Sequence, residues 1–300
     1  MKNRSVACWT RTACAALFLT AAAQAHAGQL EQIREKKEFV IAHRDASIPF
    51  SYLDADKKPV GYAMELCHKI AEAVQKELKL PQMAIRYLQV TSASRLSTIA
   101  EGKASLECGS TTNTVERRKT VDFTIPHFIS SSRLLVRADS KIERLADLAG
   151  KTAVSTKGTT NVKTLERLNS EQLLKIKIGE AQDHAEAFSL VASGKVDAFA
   201  MDDVLLYGLR ANSGTPDKFA VVGKPMTIEP YAIIIPKGDE GFKKVVDNEM
   251  RRIILSGEIN AIYRKWFQQP IPPKGITMDL PMPYLLKDSF KYPSDKVADI

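Results

Sequence analysis

The sequence predicts an α/β protein with largely parallel sheets, built from two similar halves, and three observations carry that reading. Short apolar runs alternate with amphipathic stretches along most of the chain, the pattern of buried strands feeding covering helices. "AEGKASLECGS" (100–110) is echoed by "ASGKVDAFAMD" (192–202), each of them a helix end, a Gly-Lys turn and a strand. Once an export signal is set aside, about 270 of the 300 residues remain, enough for one large or two medium domains with buried cores.

The elements follow in order. Lys2, Arg4 and Arg11 precede an apolar stretch at 13–23, and Ala25-His26-Ala27 offers the small residues a signal peptidase needs, so 1–27 reads as a cleavable export signal. That stretch is well short of the roughly 20 apolar residues that span a bilayer. Cys14 lacks the leucine and small residues that precede a lipidated cysteine, so a soluble periplasmic chain starting near Gly28 is expected. Residues 39–42 form a buried strand, and Cys67, Ile70, Ala71, Val74 and Leu78 recur at helical spacing. Between them "FSYLDADKKPVGY" (50–62) is a hairpin turning at 54–58. Then come a strand at 84–90, a short helix at 95–100 and a strand at 104–108, ended by Gly109.

A second series begins with a strand at 134–137, a helix at 142–149 closed by Gly150, and a strand at 152–155 leading into "TKGTTN". It continues as helix 161–168, strand 176–178, helix 184–193, strand 196–201 and helix 203–212. A final strand at 231–235 precedes helices at 242–256 and 258–267, and the proline-rich tail after Pro270 wraps the surface. The echo aligns Gly102 with Gly194 and Ser110 with Asp202. Each half then sets a polar residue just beyond the carboxyl end of an equivalent strand, where open α/β sheets bind ligands.

Composition narrows the function. The formal charge of +8 falls by three, to +5, when Lys2, Arg4 and Arg11 leave with the signal. This excess suits a small anionic ligand. The basic residues are dispersed among acids rather than gathered in a stripe, which disfavours nucleic acid. With Cys8 and Cys14 gone, Cys67 and Cys108 are the remaining thiols, in an oxidising compartment, and stand either as a disulfide or as two separate buried thiols. Gly150-Lys151-Thr152 is an incomplete phosphate loop, and His43-Arg44-Asp45 imitates a kinase triplet without its companions. The five histidines lack metal-ligand spacing, so neither metal nor cofactor is expected.

"ECGSTTNTVERRK" (107–119) is the stretch richest in chemistry. Ser110, Thr111 and Thr112 supply hydroxyls and amides after the strand, Asn113 and Glu116 have capping-box spacing for a short helix, and Arg117 is a two-pronged donor suited to a carboxylate. The alternative is a capped surface turn with Arg117 and Arg118 in water.

"GYAMEL" after a hairpin, "ECGSTTNTVERRKTVDFTIPHF", "SGKVDAFAMDD" and "IYRKWF" together resemble the periplasmic solute-binding proteins of polar amino-acid ABC transporters, over nearly the whole mature chain. "HRDASIPFSY", "TSASR", "ECGSTTN", "AQDH" and "MDD", in that order, resemble the glutamate/aspartate-binding subgroup. The resemblance implies a type II periplasmic binding protein-like fold: two α/β lobes joined by two crossover strands, with ligand in the interlobe cleft. Lobe one would be 28–132 plus 225–300, and lobe two 133–224. It implies that Arg117, Ser110 and Thr112 hold an α-carboxylate, with Thr160 (or its neighbour Thr159) gripping it from lobe two, and that Asp202 pairs with the α-ammonium. Arg44, Arg95 and His184, with Ser92 beside them, would address a side-chain carboxylate.

A neutral amino acid needs one cation and one anion from the protein, so two further arginines point to a dicarboxylic guest, and an unpartnered buried carboxylate would cost several kcal/mol. Taken singly, Arg44, Arg95 and His184 are each ordinary loop or helix-start residues; the argument is their conjunction. Phe50, Tyr52 and Tyr62 are assigned to core rather than ligand wall. The resulting expectation is a monomeric periplasmic receptor for L-glutamate and L-aspartate serving an inner-membrane ABC permease, without catalysis. An enzyme of the dehydratase kind on the same fold would need a cleft carboxylic acid as proton donor, and Asp202, the one cleft carboxylate assigned, is committed to an ammonium. A sensory receptor is the other rival, but the chain closes soon after its last helix, without the membrane segment and cytoplasmic domains that sensors usually carry.

Overall fold

The structure, a computed structural model, describes residues 28–296, so the export signal expected at 1–27 lies outside the described residues. After α1 (Gln29–Lys36) comes β1 (Glu38–His43), whose side chains divide by parity. Phe39 and Ile41 enter one apolar cluster, while Val40 and Ala42 enter another. A strand buried on both faces is what a sheet covered by helices requires. β2 (Ala46–Ser47), β3 (Ser51–Leu53) and β4 (Pro59–Val60) make a small antiparallel sheet, its hairpin closed by Asp54 N–H donating to the Lys58 carbonyl. α2 (Tyr62–Glu77) buries Cys67, Ile70, Ala71 and Val74 along one face, as their spacing predicts. β5 (Ala84–Gln89), α3 (Arg95–Ala100), β6 (Leu106–Cys108) and β7 (Asp122–Phe123) complete the first series.

β8 (Phe128–Ser130) then leads to a second unit. It comprises β9 (Ser132–Arg137), β10 (Thr152–Thr156), α4 (Thr160–Glu171), β11 (Lys177–Ala181), α5 (His184–Ala192), β12 (Ala198–Asp202), α6 (Asp203–Asn212) and β13 (Phe219–Val222). β14 (Glu229–Tyr231) returns beside β8, antiparallel to it, with Glu229 opposite Ser130. β15 (Ile234–Ile235), α7 (Glu240–Leu255), α8 (Glu258–Phe267) and α9 (Tyr284–Ser289) end the chain.

Two five-stranded sheets result, ordered β5-β1-β6-β15-β7 and β11-β10-β12-β9-β13. In each, the first three strands are parallel and the last two are joined antiparallel. Four strands of each sheet therefore run the same way, as expected of largely parallel sheets, and only β15 and β9, each of which follows a crossover, run against them. The sequence echo is structural. Gly102 (φ 67°) and Gly194 (φ 73°) follow α3 and α5, and β6 and β12 hold the same central place in their sheets.

An aromatic cluster lies under the two crossover strands: Phe50 meets Phe128 at 4.9 Å and Tyr231 at 5.1 Å, and Tyr263 stacks on Phe267 at 4.3 Å. Phe50, Tyr52 and Tyr62 are all buried, as core residues. Cys67 on α2 and Cys108 at the end of β6 are joined by a disulfide, tying the helix to the strand that carries "GSTTN".

Several expected elements differ. Residues 142–149 hold only a 3₁₀ turn, Leu145–Leu148, because the Asp147 carboxylate folds back onto the Glu143 and Arg144 amides and closes the segment locally. The helix expected from Asn113 and Glu116 is a 3₁₀ turn at Arg117–Lys119; Asn113 Oδ1 accepts from Arg118 instead of capping. The final strand at 231–235 is two strands, β14 and β15, and the tail after Pro270 contains α9. Among the described residues no helix is long and apolar enough to cross a membrane.

Candidate functional site

The three parallel strands of each sheet end at one cleft. From the first sheet, β1 delivers Arg44, the turn after β5 delivers Ser92 and Arg95, and the segment after β6 delivers Ser110, Thr112 and Arg117. From the second, β10 delivers Thr159 and Thr160, β11 leads to His184, and β12 ends on Asp202. Arg95, Ser110, Thr112, Thr160, His184 and Asp202 line a narrow, closed cleft. Thr159, Met201 and Leu205 complete its wall. Arg44, Ser92 and Arg117 are outside that lining but buried, at 2%, 1% and 8% exposure. A larger hollow of about 430 Å³ beside α1 and β5 has no comparable convergence of buried polar groups.

What marks the cleft is a set of buried polar atoms without partners. Arg44 Nη1, Arg95 Nε, Ser92 Oγ, Ser110 Oγ and His184 Nε2 are all inaccessible and make no hydrogen bond among the described residues. Buried polar atoms are ordinarily paired, since each one left bare costs about 1–3 kcal/mol. Five such atoms at converging strand ends are what a recognition site for a polar guest presents. Nothing about Arg44, Arg95 and Arg117 is ion-paired in the direct sense: among the described residues no carboxylate oxygen lies within 4.0 Å of their guanidiniums.

The three guanidiniums are also in each other's field. Burial, then Arg95, pulls Arg44 down to about 10. Burial, then Arg95 again, pulls Arg117 down to about 9. Arg95 is itself lowered by burial, and His184 is held well below the usual imidazole range by burial and by Arg44 and Arg95, so its ring is neutral. Thr156 Oγ1 lies 2.8 Å from His184 Nδ1, leaving Nε2 as the ring's unpaired atom.

Arg117 is the best-anchored of the three. Nη1 donates to the Thr112 carbonyl at 2.8 Å and Nη2 to the Gly158 carbonyl at 3.1 Å, so it already bridges the two lobes. Gly158 (φ +79°) comes so close that a Cβ there would lie 2.6 Å from Ala93 Cα; only glycine lets the two backbones meet. Of the two threonines left open by the sequence, Thr159 Oγ1 donates to the Thr156 carbonyl at 2.7 Å, and Thr160 Oγ1 donates to Glu229 Oε2 at 2.9 Å.

Asp202 accepts from Asn161 Nδ2 at 2.9 Å and from the Tyr231 hydroxyl. Burial, then Glu229, pushes its carboxyl up to about 7. It is not the sole carboxylate here, contrary to what the sequence suggests. Glu229 is 3% exposed on the crossover strand β14, and Glu107 is fully buried in β6, with Thr111 Oγ1 donating to Oε2 at 2.8 Å and Oε1 bare. Glu107 leads the acidic neighbours of Arg44 and Arg95, whereas Glu229 and Asp202 lead those of Arg117. Sequence reasoning misses both. A charged residue inside "SLECG", otherwise a buried strand, is the available signal for Glu107; Glu229 has none.

Two cationic groups with one acid at one end, and one cation with two acids at the other, divide the cleft electrostatically. Such a fold and site define a ligand-binding receptor of two lobes, and the model of the bacterial extracellular solute-binding proteins, family 3, matches residues 39–269. The chain belongs to that family. It is 45% identical over 273 residues, 91% of this chain and 90% of the relative, to the L-glutamate/L-aspartate-binding protein of Pseudomonas aeruginosa. It is 39% identical over 278 residues, 93% of this chain and 92% of the relative, to the glutamate/aspartate import solute-binding protein of Escherichia coli K12. Among solved structures, the cysteine-binding protein of Campylobacter jejuni superposes with a TM-score of 0.71 at 22% identity, covering 84% of this chain and 98% of the other. An ancestral amino acid-binding protein described as a precursor of cyclohexadienyl dehydratase gives 0.66 at 28% identity, covering 79% and 98%.

Proposed function

We propose that the protein is a periplasmic receptor for L-glutamate and L-aspartate that delivers them to an inner-membrane ABC permease. The lobes would be 28–132 plus 225–300 and 133–224, closing on the ligand. The observation that carries this reading is the pair of buried guanidiniums, Arg44 with Nη1 and Arg95 with Nε lacking a partner among the described residues, beside a neutral imidazole.

In this reading Arg117, Ser110 and Thr112 hold the α-carboxylate, and Thr160 reaches it through its backbone amide at the start of α4, its hydroxyl being given to Glu229. Asp202 holds the α-ammonium, and Arg44, Arg95, Ser92 and His184 hold the side-chain carboxylate. The buried acids refine the charge argument without reversing it. Arg44 and Arg95 against Glu107 leave about one positive charge at the side-chain end, a match for one carboxylate. An amide there would leave that charge uncompensated in a buried site, the kind of discrimination that rejects a near-isostere. Names of relatives that bind or import glutamate and aspartate support the same ligand class.

The raised Asp202 carboxyl favours one second reading, an enzyme on this fold with Asp202 as proton donor. Donors on both of its oxygens, Asn161 and Tyr231, favour instead an acceptor waiting for an ammonium. A thermal-shift screen of ligand-free protein against the common amino acids and prephenate-like acids tests both. Glutamate and aspartate are expected to raise the melting temperature most; no shift with either, or turnover of a cyclic acid, defeats the proposal.

A further inference from the structure

The crossover strand β14 contributes to the cleft as well as joining the lobes. Glu229 and Tyr231 are two residues apart and so share one face of the strand. Each reaches a lobe-two residue assigned to the ligand: Glu229 to the Thr160 hydroxyl and Tyr231 to Asp202. The Thr160 hydroxyl proton is therefore committed to Glu229. Towards the cleft this oxygen offers lone pairs, and a ligand carboxylate must look to other donors. Glu229 meanwhile adds a second buried negative charge beside Asp202, two acids against the one cation Arg117, so that either Asp202 takes up a proton or a further cation joins them.

We propose that Glu229 is a positioning and specificity residue of the cleft: it orients the Thr160 hydroxyl as an acceptor and, with Asp202, makes the site demand an ammonium. Dicarboxylates that lack the amino group are thereby turned away. The inference rests on the reading of the cleft as an acidic amino-acid site and extends it to how that site tells an amino acid from a plain diacid. Repulsion from Glu229 is a principal reason, after burial, that Asp202 is pushed up, and the other groups facing Asp202 are Asn161 on α4, Tyr231 on β14, Asp203 on α6, and the cations Arg95 and Arg117.

The test compares glutamate with glutarate, the same diacid without its ammonium, by calorimetric titration of the full chain between pH 6 and 9. Glu229→Gln should weaken glutamate about tenfold at pH 8, leave glutarate no weaker than in wild type, and move the acid-side loss of glutamate binding to lower pH. Glu229→Asp, which keeps the charge, should restore most of the glutamate-to-glutarate ratio. Thr160→Val removes the oriented acceptor but not the charge, so it should weaken glutamate more than glutarate, by about threefold to tenfold, and it decides the matter should Glu229→Gln not fold. A Glu229→Gln protein that keeps the wild-type ratio and pH profile, or a Thr160→Val protein that loses glutarate as much as glutamate, overturns the inference. Wild-type protein that binds no glutamate overturns the underlying reading and this one with it.

Discussion

Replacing Arg95 by glutamine separates charge recognition from simple packing. Arg95 is 2% exposed, its Nε has no partner, and it lies in the fields of both Arg44 and Arg117. Truncating one member of a buried, hydrogen-bonded charge pair costs about 2–5 kcal/mol or more. Relief of repulsion on Arg44 and Arg117 offsets part of this, so we take about 3 kcal/mol, or about 150-fold in Kd for glutamate. Glutamine loses at most a neutral hydrogen bond, about tenfold, so the preference for glutamate over glutamine should fall by at least about tenfold. Ligand-free Arg95→Gln should melt no lower than wild type, because a buried unpaired charge has been removed. Titration calorimetry at about 0.15 M salt, where exposed charges are screened, reads the affinities, and differential scanning calorimetry the stability. Glutamate binding within about threefold of wild type, or equal losses for glutamate and glutamine, would refute the reasoning.

Asp202→Asn should abolish measurable glutamate binding, and in wild type the affinity should fall as pH drops through about 7, where Asp202 takes up a proton. The stability sign is opposite to that of a salt-bridged acid: the folded carboxyl titrates above its ordinary value, so its ionisation costs folding free energy as pH rises from about 4 to about 7. Ligand-free Asp202→Asn should therefore melt above wild type at pH 8 and alike near pH 4, which melting curves across that range will check. Reducing Cys67–Cys108, separated by 41 residues, should cost about 4 kcal/mol by loop-closure entropy and lower the melting temperature by about 10 °C, read from melts with and without reductant. Gly158→Ala places a methyl against Ala93 at a positive φ, so it should weaken glutamate at least about tenfold and reduce the ligand-induced compaction seen by small-angle scattering, with the fold intact.

Which features are legible from sequence follows from how local their causes are. The parallel strand–helix units are visible because parity and helical spacing are local patterns; β1 and α2 lie where those patterns put them. The echo around Gly102 and Gly194 is legible for the same reason, and it locates two of the six strand ends that build the cleft. Arg44, Arg95 and His184 are not legible from composition or spacing, since each sits at an ordinary strand or helix end; they come from resemblance, and their buried unpaired atoms are a tertiary fact. Glu229 is invisible because its role depends on β14 pairing with β8, a contact between distant parts of the chain. Strand β13 escapes for a similar reason, being defined by pairing with β9 rather than by its own pattern. The 3₁₀ turn at Leu145–Leu148 shows the reverse error, where apolar spacing suggests a helix but one aspartate closes the segment early.

Calorimetric titration of protein stripped of endogenous solute, with glutamate and with glutamine under identical conditions, tests the claim that Arg44 and Arg95 await a second carboxylate. The account predicts that glutamate binds at least about 100-fold more tightly, the equivalent of roughly 2.7 kcal/mol. Equal affinities, or tighter glutamine, would contradict it.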